Sequence, residues 1–333
     1  MKLSSKAMIL SLLRENIGET ISGTKLAKEI GISRVAVWKI VQSLTEAGYS
    51  IDTIDKGYFL DPKKEKDFLY PWEFGKNEKS FYHFLNTDST MNRARELALK
   101  DAANGSIITA EKQSAGKGRN GRTWISRQGG LFFTILERPH IAVADYNLIS
   151  LTVQIALVKT ISAICGKKAF LRWPNDIYIN SRKIAGVITE ISGEGDLITW
   201  ISVGIGVNVN NSVPSTKSTS LSEVLAHNVS RRMVLQKILS EIEKVKKTFA
   251  SQAVYTQGNR ALADEWNSLA DCISAKTAVF EPVNKNENSL DKPGRILARG
   301  IFQGIDPAGK CILKTENGNL FFNQGAVSLA LIA

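Results

Sequence analysis

The sequence predicts an α+β protein in three parts: a winged helix-turn-helix, a central mixed or antiparallel sheet carrying helices, and a small C-terminal β-barrel. Three observations predict it. Apolar residues over the first 44 positions recur at helical spacing and are followed by an alternating stretch with a tight turn. Residues 81–209 then hold short β-branched runs closed by tight turns, with one long apolar helix among them. After Cys272 only short strands and turns remain, as in a small barrel. The implied domains are residues 1–65, 81–270 and 271–333, joined by a linker over residues 66–80 in which charge mixes with Pro71 and Gly75.

In the first part, residues 5–16 place Met8, Ile9, Leu12 and Leu13 on one helical face, and residues 22–30 do the same with Leu26, Ala27 and Ile30. Gly31-Ile32-Ser33 breaks the second helix, and Ser33 caps a third whose Val37, Ile40, Val41 and Leu44 point one way. Residues 49–60 alternate and turn at Asp55-Lys56-Gly57, as a wing does. Ser33, Arg34, Ala36 and Lys39 thus fall on or near the open face of a helix able to enter a DNA major groove. A small helical packing module is the alternative; residues 1–66 hold eleven Lys/Arg against eight Asp/Glu, so any basic surface must come from clustering in space.

Composition narrows the classes. The chain has 333 residues, 43% of them apolar, enough for a large core in several domains. Its net charge of +11 favours polyanionic partners. Three isolated cysteines and three histidines give no metal-ligand spacing, so no protein-held metal is expected, and the odd thiol count suits a reducing compartment. Without a leader-like start or a run of about 20 apolar residues, a cytoplasmic protein with no membrane partner is expected.

Residues 116–124, Gly-Lys-Gly-Arg-Asn-Gly-Arg-Thr-Trp, join strands expected at 106–110 and 131–136. Glycines let the backbone approach a ligand closely, while Lys117, Arg119 and Arg122 supply charge for a phosphate or carboxylate. Alone, the loop fits an anion cradle or an ordinary basic surface loop equally well. It is not a Walker loop, since the Lys-Ser/Thr pair and the following helix are missing. A second cluster is Arg-Trp-Pro-Asn-Asp at residues 172–176, where Pro174 ends regular pairing and leaves Asn175 and Asp176 at a strand end. Lys183 and Gly186 follow a hairpin turn at Asn180-Ser181, a place where most lysines are simply solvated. A third is Gly204-Ile-Gly-Val-Asn208 late in a strand. Asp88-Ser89-Thr90 caps a helix running to about residue 100, and residues 147–164 form another with Leu148, Leu151, Ile155, Val158 and Ile161 inward.

In this order, these patterns resemble the biotin protein ligase family, and the winged helix makes the likeness one to its bifunctional, DNA-binding members. It covers the whole chain. The resemblance implies a biotin/lipoate ligase-like central domain, an SH3-like barrel, and two-step chemistry: biotin and Mg-ATP (ATP with Mg2+) give biotinyl-5′-adenylate, which then biotinylates a lysine of a biotin carboxyl carrier protein. It places Ser89, Thr90, Met91 and Gln113 at biotin, with the ureido group held by Ser89, Thr90 and Gln113. Gly116, Lys117, Gly118, Arg119, Arg122 and Trp124 belong to a loop that closes over the adenylate. Lys183 would hold the carboxylate and α-phosphate, with Gly186 and Gly204 close to the ligand, Asp176 near magnesium or the incoming lysine, and Asn208 near the nucleotide. Lys183, Arg119 and Asp176 are the implied catalytic groups. Operator DNA of biotin-synthesis genes and an adenylate-dependent homodimer are the further implied partners. Two positions depart from the family pattern: Lys117 stands for Arg and Met91 for Asn. A lipoate ligase shares the adenylation logic, although the tight basic loop speaks against it; a biotin-sensing repressor with weak ligase activity is the other alternative.

Overall fold

The computed structural model describes residues 3–139, 141–213, 215–250, 255–281, 295–324 and 326–331. The chain divides into two units, Met1–His83 and Phe84–Ala333.

In the first unit, α1 (Ser5–Glu15), α2 (Gly23–Ile30) and α3 (Arg34–Glu46) each start on a serine. Ser4, Ser22 and Ser33 accept the first-turn N–H groups of Ala7, Lys25 and Ala36. Gly31 closes α2 in the left-handed conformation at φ 75°. Strands β1 (Thr20–Ile21), β2 (Ile51–Ile54) and β3 (Gly57–Leu60) form an antiparallel sheet ordered β1-β3-β2. The wing turn requires its glycine, because Gly57 has φ +144° and a Cβ there would lie 2.2 Å from the Ile21 carbonyl oxygen. Ile9, Leu13, Leu26, Val37, Val41 and Leu44 meet Tyr49, Ile51 and Leu60 in the core.

Residues 66–80 belong to this unit. Phe68, Tyr70 and Trp72 pack against its core, and a 3-10 segment, Pro71–Ser80, carries Glu73 inward. The fully shielded Glu73 carboxylate accepts from Arg14 at 2.6 and 3.0 Å and from the Tyr49 hydroxyl, to which Trp72 Nε1 also donates at 3.0 Å. Burial, then the Glu73 charge, pushes the Tyr49 phenol far above its ordinary range. The stretch expected to link domains is bound down because its aromatic residues complete an apolar surface.

The chain passes into the second unit within β4 (Phe81–Thr87), and there α4 (Thr90–Leu99) leads through β5 (Ser106–Gln113) and β6 (Leu131–Glu137) to α5 (Tyr146–Cys165). Then come β7 (Phe170–Arg172), β8 (Asp176–Ile179), β9 (Arg182–Glu194) and β10 (Leu197–Val207). Among the described residues these strands form a seven-stranded sheet ordered β4-β5-β6-β10-β9-β8-β7, antiparallel from β5 through β7. Asn180 and Ser181 take φ 50° and 59° in the β8–β9 turn, as a primed hairpin requires. Helices α6 (Leu221–Leu225), α7 (Arg231–Ala250) and α8 (Tyr255–Ser268) follow. The helical pattern in the sequence spans residues 231–252, and its last two residues lie outside the described residues.

Helix α5 has the length and composition of a membrane span yet is mostly buried, against α7, α8 and β7 to β10. Its sequence read as one apolar face; the structure buries nearly all sides, including Gln154, which accepts from Trp266 Nε1 at 2.9 Å and donates to Ser150 at 3.0 Å. The C-terminal sheet, ordered β14-β13-β12-β11-β15, comprises β11 (Lys276–Phe280), β12 (Ile296–Ile305), β13 (Cys311–Thr315), β14 (Gly318–Phe322) and β15 (Ser328–Leu331).

Candidate active site

One end of the site grows from the start of α4. Ser89 caps the helix, accepting from Met91 N at 3.2 Å, while Asp88 takes the Ser89 N–H at 2.6 Å and the Asn92 side chain at 2.7 Å. Chiefly through that Asn92 hydrogen bond, the Asp88 carboxyl is held down to about 2. Gln113, at the end of β5, accepts from Thr90 N at 2.7 Å and Thr90 Oγ1 at 3.1 Å, and donates to Ser126 at 2.7 Å. Thr134 completes the chain of hydroxyls at 2.9 Å from Thr90 Oγ1. These bonds fix a polar wall. Met91 lies under it, its thioether against Gly204, where a Cβ would come within 2.7 Å of the sulfur. Asn92, the residue after Met91, turns its side-chain amide to Asp88.

Residues 116–124 form a small hairpin. Gly116 O accepts from Trp124 N at 2.8 Å, Lys117 bridges Thr123, and Gly118 N donates to Arg122 O at 2.7 Å. Asn120 and Gly121, at φ 53° and 70°, make its tip. Trp124 is seated on glycine: a Cβ on Gly206 would lie 2.5 Å from the indole, and one on Gly186 3.2 Å. Register explains the pair, because Gly186 and Gly206 are partners across β9 and β10, as are Ile188 and Gly204.

Lys183 stands beside this indole, its Nζ 5.2 Å from the ring centroid and 2.6 Å from Asp176 Oδ1. Its backbone is clamped by Lys217 O, 2.9 Å from Lys183 N, and by Thr219 N, 2.9 Å from Lys183 O. Asp176 is brought opposite by the β8–β9 pairing, in which it faces Gly186. Arg119 reaches back from the hairpin to donate to Val327 O at 3.3 Å. Burial pulls its guanidinium below the ordinary value, with nearby Asp176 acting against that and Arg122 reinforcing it. The two cations flank one carboxylate.

A cavity of about 490 Å³ collects Ser89, Thr90, Met91, Gln113, Lys117, Gly118, Arg119, Arg122, Trp124, Asp176, Lys183, Gly186 and Gly204. Gly116 stands behind the wall, where a Cβ would lie 2.4 Å from Trp124 O. Asn208 does not line the cavity. It is buried under the next loop, donating to Thr219 O at 3.1 Å and accepting from Asn211 at 3.0 Å, so its amide holds the loop that clamps Lys183. Sequence reasoning passed over Trp173, although it lies within the 172–176 cluster; it also missed Cys272, Thr277, Phe302 and residues 328–330, which wall the cavity from the far end of the chain. Their separation from the motifs leaves no local signal. Glu190 was missed too; it accepts from Lys117 at 2.8 Å and Arg95 at 3.0 Å. Its place on β9, in step with Gly186 and Ile188, is the trace that could have found it.

Among the described residues no group of three or more His, Cys, Asp and Glu could hold a metal. The cavity offers the single carboxylate Asp176. That donor set fits a magnesium ion delivered with nucleotide, which keeps water and phosphate as most of its ligands.

In the first unit, Ser33 spends its hydroxyl on the cap of α3 and Ala36 is half-buried, whereas Arg34 and Lys39 are exposed. Val35 and Trp38, 63% and 50% exposed, share that open side with them and were not anticipated. Apolar groups among cations suit a groove carrying thymine methyls as well as phosphates.

The chain matches the model of the Biotin/lipoate A/B protein ligase family over residues 84–208 and an HTH domain over residues 6–59. It is 32% identical over 330 residues to the bifunctional ligase/repressor BirA of Bacillus spizizenii, covering 96% of each chain. Its identity to the protein of that name from Escherichia coli is 25% over 328 residues, 94% of each. In fold it resembles the biotin protein ligase of Aquifex aeolicus, solved with biotin and ATP, at a TM-score of 0.60 and 24% identity, covering 76% of this chain and 99% of that one.

Proposed function

The chain belongs to the biotin protein ligases of the bifunctional ligase/repressor kind, and from that premise we propose how its own residues carry the two activities. One observation carries the ligase reading: a hydrogen-bonded polar wall, Thr90 and Gln113, and a pair of cations, Arg119 and Lys183, share a single cavity under a glycine-rich hairpin. A ligand polar at both ends suits it, and biotin is such a ligand. The wall takes the ureido group. Lys183 and Arg119 take the carboxylate and the α-phosphate.

In the first step a biotin carboxylate oxygen bonds to the α-phosphorus of ATP, and the bond to pyrophosphate breaks with its electron pair leaving on oxygen. Lys183, oriented by Asp176 and its clamped backbone, faces the charge that builds on the phosphoryl oxygens. Arg119, already stripped of much solvent, adds a second fixed cation without reorganisation. Magnesium brought with ATP supplies further neutralisation of phosphate charge. In the second step the uncharged amine of an acceptor lysine on a biotin carboxyl carrier protein attacks the acyl carbon. AMP leaves with the bonding electrons, and the amine's extra proton passes to water. No protein nucleophile is required, and burial holds the cavity's Cys272 thiol up at about 11.

The winged unit gives the second activity. Held as a pair in a homodimer formed when adenylate is bound, two α3 helices would read the half-sites of operator DNA at biotin-synthesis genes, through Arg34, Lys39, Val35 and Trp38. With biotin and Mg-ATP, the purified chain is expected to release pyrophosphate and label a carrier-domain lysine, with lipoate inert. Lys183→Ala should lower pyrophosphate release by about 100- to 1000-fold with the fold intact. Adenylation of lipoate in place of biotin overturns the substrate, and near-normal release by the variant removes Lys183 from the chemistry.

A further inference from the structure

Resting on the ligase reading, we propose that Glu190 is a positioning residue for the closing hairpin, and that it is what lets a lysine stand at position 117. The hairpin's internal bonds set its shape but not its angle to the sheet. That angle depends on what its side chains reach: Trp124 on its glycine seat, Arg119 on Val327 O at 3.3 Å, and Lys117 on Glu190 Oε1 at 2.8 Å. Among these the Lys117 pair is the one formed between two charged groups. The other carboxylate oxygen, Oε2, takes Arg95 at 3.0 Å. Arg95 lies on α4, whose first turn carries Ser89, Thr90 and Met91. One carboxylate therefore ties the hairpin to the helix that builds the polar end of the cavity.

The identity of residue 117 follows from how the oxygens are shared. An ammonium is a point charge satisfied by one oxygen, whereas a guanidinium would present its fork to both and displace Arg95. Lysine here keeps the hairpin and α4 on the same anchor. The side chains of Lys117 and Glu190 are only 29% and 23% exposed, and three charges share the contact, so it is better shielded than an isolated surface pair. Loss of the Glu190 charge leaves the hairpin free to lift, and a reactive adenylate would escape more often before transfer.

The hairpin carries its own reporter in the tryptic bonds after Arg119 and Arg122, which should be cut faster when the loop lifts from the sheet. In the full chain without ligand, Glu190→Gln is expected to raise nicking at these two bonds several-fold, with the thermal midpoint little changed. Lys117→Met should do the same, and the double variant should be cut no faster than the faster single one, because both remove one interaction. In single-turnover reactions Glu190→Gln should release preformed biotinyl adenylate several-fold faster and label bystander lysines. Wild-type nicking by Glu190→Gln overturns the proposal, as does cleavage raised equally at sites outside the hairpin, which marks general destabilisation. Additive effects of the two substitutions would also overturn it. If the wild-type chain forms no adenylate, the ligase reading falls while the nicking result still decides the role of Glu190.

Discussion

A missing Cβ decides where Trp124 goes. Gly186 and Gly206 face each other across two strands, and the indole lies in the notch they leave, beside Lys183. Gly206→Ala would put a methyl 2.5 Å from a ring whose residue is pinned at its backbone to Gly116 O, and which cannot swing aside as a long flexible chain would. We expect biotin affinity to fall by more than about tenfold while the thermal midpoint drops only a few degrees; isothermal titration and a melting curve measure both. The glycine spacing was legible in the sequence, and so was the cationic loop. What fills the space above a glycine was not, because that depends on strand register and a residue 60 or more positions away. Asn208 illustrates the converse. A polar residue at a strand end reads the same whether it faces ligand or loop, and here it faces the loop.

The start of α4 is the element on which the polar end of the cavity depends. Asp88 gathers Ser89 N–H, Thr87 Oγ1, the Asn92 amide and, at 3.2 Å, Arg93. Its folded value near 2 lies below the ordinary 3.8, so its contribution to stability is fully present above that ordinary value and fades as pH falls toward 2. Asp88→Asn should therefore flatten the loss of stability between about pH 4 and pH 2, read from thermal midpoints across that range; an unchanged slope would show that other carboxylates govern acid unfolding. The cap itself was visible as Asp-Ser-Thr before a periodic run. The residues of the C-terminal sheet that close the cavity's other side were not, since nothing local marks Ser328 or Phe302 as neighbours of residues so distant in the chain.

At the scale of the whole molecule, the sequence carried the order of winged helix, ligase sheet and strand-rich C-terminal part because each has its own periodicity. Ligase and repressor chemistry meet only if the adenylate alters DNA binding. Operator DNA should bind more tightly with biotin and Mg-ATP than without, and binding should weaken steeply with salt as counterions return to the phosphates. A gel-shift titration under both conditions checks this, and equal affinities would separate the two activities. The ion pair of Arg14 with Glu73, shared with Tyr49, has a consequence for autonomy. The DNA-reading unit is not portable at residue 65, where the periodic pattern stops. Severed there it would lose the carboxylate that its guanidinium and phenol share, and the aromatic cover of Phe68, Tyr70 and Trp72. Carried through His83, it takes its own lid with it.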